Sequence, residues 1–232
     1  SFILKIEPKN FENQNRNISV SELLEFDSFK DAKEYLILKE VEKVLDDSRY
    51  GYIGWIEEKL KIKFNIKEDL WKNFIEIAER RNLYVHSGGK ITKLYINACK
   101  KNGIEIKNKK IDEEMGIPPE YFMRACQIIY VIGVQISQVL WRRLAPKEKE
   151  DADTLLLNIS ADLLNENNNW TAGRLLDFAN EDIKECSSEK IRLMFLINRA
   201  LAMKFGSALE KAKKLIKTID WSATDPVFKL AV

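Results

Sequence analysis

The stretch Glu79-Arg80-Arg81-Asn82-Leu83-Tyr84-Val85-His86 holds the only histidine of the chain, two adjacent arginines, an amide and a carboxylate. Histidine is the side chain best suited to moving protons near neutral pH. Arginine offers a planar fork that fits phosphate oxygens. These residue types together point to a small acid–base and phosphate-binding site. The surrounding pattern predicts a helix over Asp69–His86. Leu70, Phe74, Ile77, Arg81 and Tyr84 recur at helical spacing, and Trp71, Ile75, Ala78, Asn82 and Val85 form the adjacent row. So wide a stripe predicts a helix packed on a core. It places Arg81 on the buried face, where a cation needs a partner or a task. Arg80 falls off both rows and is expected in solvent. Glu79, Asn82 and His86 share one edge of the helix. Ser87-Gly88-Gly89 is a helix stop, so His86 lies at the carbonyl end, where the helix dipole favours a cation.

Arg81-Asn82-x-x-x-His86 resembles the R-N-x3-H signature of HEPN domains, an all-helical family of nucleotide-binding proteins. Glu79 before the arginines, Val85 before the histidine, and the Ser87–Gly89 turn followed by Tyr95 resemble the abortive-infection and toxin branches of that family. The resemblance covers residues 20–145. It implies a metal-independent endoribonuclease in phage defence or a toxin–antitoxin system, acting on RNA and held in check by an antitoxin or defence-system partner or by its own C-terminal helices. Cleavage by the 2'-hydroxyl of RNA needs a base, an acid for the leaving oxygen, and positive charge for the phosphorane. His86 fits either proton transfer, Arg81 the charge, and Asn82 the orientation of the imidazole or a phosphate contact. Glu79 and Tyr84 fit supporting roles, as anchor of an arginine and as second proton carrier. One histidine does not easily serve as both base and acid. The resemblance therefore implies a homodimer whose two motifs form a composite site. Two other readings stand beside it. One is a catalytically silent HEPN module that binds nucleotide or RNA. The other is a helical adaptor in which the arginine and histidine only satisfy carbonyls and Glu79.

Composition narrows the rest. Thirty-eight basic residues against 36 acidic leave a formal charge of +2, so any RNA contact must be local. Basic clusters lie at Lys59, Lys61 and Lys63, and from Lys100 and Lys101 through Lys107, Lys109 and Lys110. The second lies just downstream of the motif. It reads as a solvated loop that could also hold phosphates. Cys99, Cys126 and Cys186 are widely spaced with no C-x-x-C, which predicts free thiols in a reducing cytoplasm and neither a metal site nor a cofactor. No signal peptide is read. The most apolar run, Ile128–Leu140, carries Gln135 and Gln138 and reads as a core or dimer helix too short to span a bilayer. The chain begins without Met and stops abruptly at Phe228-Lys229-Leu230-Ala231-Val232, as one missing a tail would.

The fold class expected is all-α, a HEPN-like helical bundle over 1–145 followed by a smaller helical-hairpin region over 151–232. Helices are predicted over Ser28–Leu45, Ser48–Ile62, Lys90–Lys100 and from Pro118 to Arg143, with Ile104–Ile106 briefly extended and Phe2–Ile6 either strand or arm. Ala145–Asp151, charged and proline-bearing, reads as a boundary. Beyond it Thr154–Asn165, Thr171–Ile183, Glu189–Phe205 and Ser207–Ile219 read as two helix pairs, weakly tetratricopeptide-like, with Ala172 and Ala208 as the small residues of the crossings.

Overall fold

The computed structural model describes residues 26, 28–30, 32, 35, 51–106 and 109–219. Contacts divide the chain into two compact units, Ser1–Phe64 and Asn65–Val232. Among the described residues the protein is all-α, with eight α-helices and no strand. The expected segment Phe2–Ile6, and most of the expected helix Ser28–Leu45, lie outside the described residues.

In the first unit α1 (Gly51–Leu60) runs straight through Gly54. It ends at Lys61, whose φ of 51° is left-handed. Glu57 then accepts from the Lys63 ammonium and from the Phe64 amide, each at 2.8 Å, folding the exit back on the helix.

The second unit carries α2 (Glu68–Ser87), α3 (Lys93–Lys101), α4 (Pro119–Leu144), α5 (Lys149–Asn165), α6 (Asn169–Glu181), α7 (Glu189–Phe205) and α8 (Leu209–Lys217). Its main core joins Leu70 of α2, Ile128, Val131 and Ile132 of α4, Leu156 of α5, Leu175, Leu176 and Phe178 of α6, and Phe195 of α7. The segment read as a boundary is a 3₁₀ turn, Pro146–Glu148, running into the first turn of α5. Helices on both sides share the main core, so the expected division lies inside one unit. Asp153, fully buried, closes this corner. It accepts from Arg142 of α4 at 2.7 Å and from the Ser187 amide ahead of α7 at 2.5 Å.

The last four helices repeat with a longer period than their sequence suggests. Helix starts at Lys149 and Glu189, and at Asn169 and Leu209, are each 40 residues apart (189 − 149 and 209 − 169). The left-handed residues between the paired helices, Asn167 and Ser207, keep the same offset. So do the bonds that close each turn, Asn168 N–H to Leu163 O and Ala208 N–H to Met203 O, both 2.8 Å. The buried small residue equivalent to Ala172 is therefore Ala212 rather than Ala208.

α4 has 26 residues, twice the apolar run read from sequence, and is long and apolar enough to cross a membrane by length and composition. One face of it, with Ile128, Val131 and Ile132, lies in the main core. Gln138 is buried there by donating to the Ala152 carbonyl at 3.1 Å.

Candidate functional site

α2 serves two cores on roughly opposite faces. Leu70, Phe74 and Ile77 meet the main core. Leu83 meets a smaller one with Ile91, Tyr95, Cys99 and Met115. A helix advances about 100° per residue, so Leu83 stands well round the cylinder from Leu70. No residue of α2 after Ile77 belongs to the main core. Arg81 continues the Leu70–Phe74–Ile77 row beyond the point where that core ends, and it is exposed. Arg80, one step round, faces the second core and is mostly covered, its side chain 16% exposed. The environments expected for the two arginines are thus exchanged. The physical reason is that the buried face of α2 changes halfway along it.

Arg80 is enclosed in a polar node. Glu76 Oε1 accepts from Arg80 Nε at 2.8 Å and from the Tyr95 hydroxyl at 2.8 Å, and Glu76 Oε2 accepts from the Tyr121 hydroxyl at 2.7 Å. The Arg80 guanidinium lies 3.7 Å from the centre of the Tyr121 ring and donates to the Gly116 carbonyl at 3.1 Å. Burial alone would make Arg80 easier to deprotonate, but the Glu76 carboxylate outweighs it and holds the charge. Burial, reinforced by Glu76, pushes Tyr95 far above its ordinary value. Burial and then the hydrogen bond to Glu76 do the same at Tyr121. Burial also pushes the neighbouring Cys99 thiol up to about 11. These groups tie α2, α3, α4 and the loop before α4 together. Only the Glu76–Arg80 pair could be read from spacing, as an i, i+4 ion pair. The tyrosines come from 19 and 45 positions away.

Arg81, Tyr84 and His86 are exposed and Asn82 is half-buried. Arg81 Nη1 donates to Asn82 Oδ1 at 3.2 Å. Asn82 and His86 are one turn apart on the same face, whereas Arg81 and His86 are separated by about 140° round the helix. Within one chain the structure therefore joins Arg81 to Asn82, and sets His86 beside Asn82, without turning the guanidinium toward the imidazole. Glu79 is 3% exposed and belongs to the interior side of the helix. The Tyr84 hydroxyl donates to the Met115 carbonyl, so its proton is already engaged.

The end of α2 is fixed by its turn. Gly88 is left-handed at φ 57° and its amide returns to Leu83 O. The Gly89 amide donates to the same carbonyl at 3.0 Å, so two glycine amides close the end of the helix. Gly89 has φ 80°, and a Cβ there would stand 3.1 Å from the Tyr84 ring. The chain leaving the turn pairs with the loop ahead of α4. Ile91 N–H meets Glu113 O, Asp112 N–H meets Ile91 O, and Met115 N–H meets Gly89 O, all at 2.9 Å. His86 thus sits on a rigid corner and is open to solvent. Such an edge suits a large substrate that lies across the surface. No family model matches the chain, and no curated protein or solved structure matches it.

Proposed function

We propose that the exposed end of α2 is the active edge of a metal-independent endoribonuclease of HEPN type. RNA is cleaved through its own 2'-hydroxyl to leave a 2',3'-cyclic phosphate. The carrying observation is the division of labour at the helix end. The node holds the backbone of α2 in place, while Arg81, Asn82 and His86 remain available on one rigid corner. His86 transfers a proton, Arg81 stabilises charge on the phosphorane, and Asn82 holds the guanidinium and borders the imidazole.

The angular separation of Arg81 and His86 supports a homodimer in which the two proton transfers come from the two copies. The Tyr84 hydroxyl, already donated to Met115, is poorly placed to be the second carrier. The protein is proposed to work in the cytoplasm, in keeping with its three unbridged cysteines. The same separation favours a second reading, a module that grips RNA through Arg81 and Asn82 without turning it over.

Cleavage of mixed RNA by the purified chain in EDTA, with mapping of the product ends, tests the proposal. Retained activity and cyclic phosphate ends are expected. Activity lost in EDTA or 3'-hydroxyl ends would refute the chemistry, and binding without turnover would favour the second reading. Arg81→Ala is expected to lower the rate by about 10²–10³, and His86→Ala by roughly 10²–10⁴. A mixed dimer of wild type and His86→Ala, purified through two tags, is expected far below half the wild-type rate. A value near half would mean that each copy holds a complete site.

A further inference from the structure

We infer that the outer face of α3, with the segment leading into it and the loop segment bonded to it, is a track for the phosphate backbone of single-stranded RNA running to the His86 corner. The inference rests on the RNA reading of that corner. α3 buries Tyr95 and Cys99 and turns Lys93, Leu94, Asn97, Lys100 and Lys101 to solvent. Its start follows Ile91, which is bonded to the loop beside the α2 turn. Just past its end, a Cβ on Gly103 would stand 3.4 Å from the Lys72 side chain in the first half of α2. The helix therefore runs back along α2, away from His86, and its cations span about 12 Å at 1.5 Å per residue.

These cations differ from the ones that lie at contacts between the helices of the unit. Several of those are matched by carboxylates, as in Lys67 with Glu181 at 2.8 Å, Arg199 with Asp177 at 2.7 Å, and Arg142 with Asp153 at 2.7 Å. Lys90, Lys93, Lys100, Lys101 and Lys110 are all exposed and have no ion pair among the described residues. Among the described residues of this stretch Lys109 is held, by Glu113 at 2.9 Å. In a chain of net charge +2, a run of unmatched cations leading to the motif is a local footprint for a polyanion. Apolar side chains lie beside the cations. Leu94 is 74% exposed and Ile111 53%. The unstacked bases of a single strand can rest on such side chains, and a duplex keeps its bases hidden.

The test uses the whole chain and a fluorescent 2'-O-methyl 12-mer, which lacks the attacking hydroxyl and so reports binding alone. Its affinity is measured against salt for wild type and for the triple variant Lys93→Gln, Lys100→Gln, Lys101→Gln, with thermal melting to verify folding. Three lost phosphate contacts should make the slope of log K against log salt shallower by about 2. A control triple on α8, Lys211→Gln, Lys213→Gln and Lys214→Gln, should keep the wild-type slope. An unchanged slope in the α3 variant, or equal loss in the α8 variant, overturns the track. So does a hairpin duplex that binds as tightly as the single strand with the same dependence on the α3 lysines. If the slope falls as expected while wild type fails to cleave natural RNA, the track stands and the nuclease reading falls. Cleavage with an unchanged slope is the converse.

Discussion

At Arg80 the end of α2 is closed, and at the next residue it is open. The Arg80 guanidinium has a carboxylate, a carbonyl and an aromatic face, and little of it reaches solvent. Arg81 touches the neighbouring Asn82 and is otherwise exposed. Two identical side chains, one residue apart, have been given a structural and an available position by a turn of about 100° round one helix. The same contrast separates the two ends of α2. Its first half is wedged into a large apolar core, while its second half is held by a small core and a polar node that leave one flank free.

The largest effect should come from emptying the closed side. Glu76→Ala would leave the Arg80 charge and two tyrosine hydroxyls without their shared acceptor, and it should cost about 3 kcal/mol in a urea titration. Loss below about 1 kcal/mol would mean that water replaces the carboxylate and that the node is not what holds α2. Gly89→Ala comes next. The left-handed backbone and the Tyr84 ring both resist a Cβ, and about 1–2 kcal/mol should be lost. Tyr84→Phe, which removes the bond to Met115, should cost about 1 kcal/mol by the same titration.

Alkaline titration sharpens the comparison further. Cys99 is raised from 9.0 to about 11, and Tyr95 and Tyr121 are raised above their ordinary 10.0. Each group holds its proton more tightly in the folded chain than in the unfolded one. The stability this contributes is complete below the ordinary values and is lost as pH climbs through them toward the folded values. Melting temperature should therefore decline from about pH 9 upward, and Tyr121→Phe should decline less steeply. A profile identical in wild type and variant would show that the tyrosines do not sense burial. At the small end of the scale, Arg81→Ala should leave the urea midpoint where it is, since its side chain is exposed.

Much of the architecture could be read before any coordinate. α7 runs from Glu189 to Phe205 as its periodicity predicts, with the Ser188 side chain accepting from the Ile191 amide at its start. α2 differs from its expected span by one residue at each end, because the Gly88-Gly89 stop is a local signal. The start of α5 is hidden in the sequence because a proline and a run of charges look like a linker. Here Pro146 opens a 3₁₀ turn, and Ala152, Asp153 and Leu156 are buried three and four residues apart while the charges before them stay outside. The buried face of α2 departs from the sequence pattern in its second half for a different reason. A single amphipathic stripe assumes one core, and this helix has two. The node was invisible because Tyr95 and Tyr121 reach Glu76 only once α3 and α4 are in place.

The most direct test of the account is the cleavage rate of Arg81→Ala beside that of Arg80→Lys, each per folded molecule as judged by circular dichroism. Arg80→Lys keeps a cation beside Glu76, so folded protein should be recoverable. The account predicts that Arg81→Ala melts like wild type and cleaves at least about 100-fold more slowly, while folded Arg80→Lys stays within a few-fold of wild type. Wild-type cleavage by Arg81→Ala, with the loss falling on Arg80→Lys instead, would contradict it and move the chemistry to the closed side of the helix.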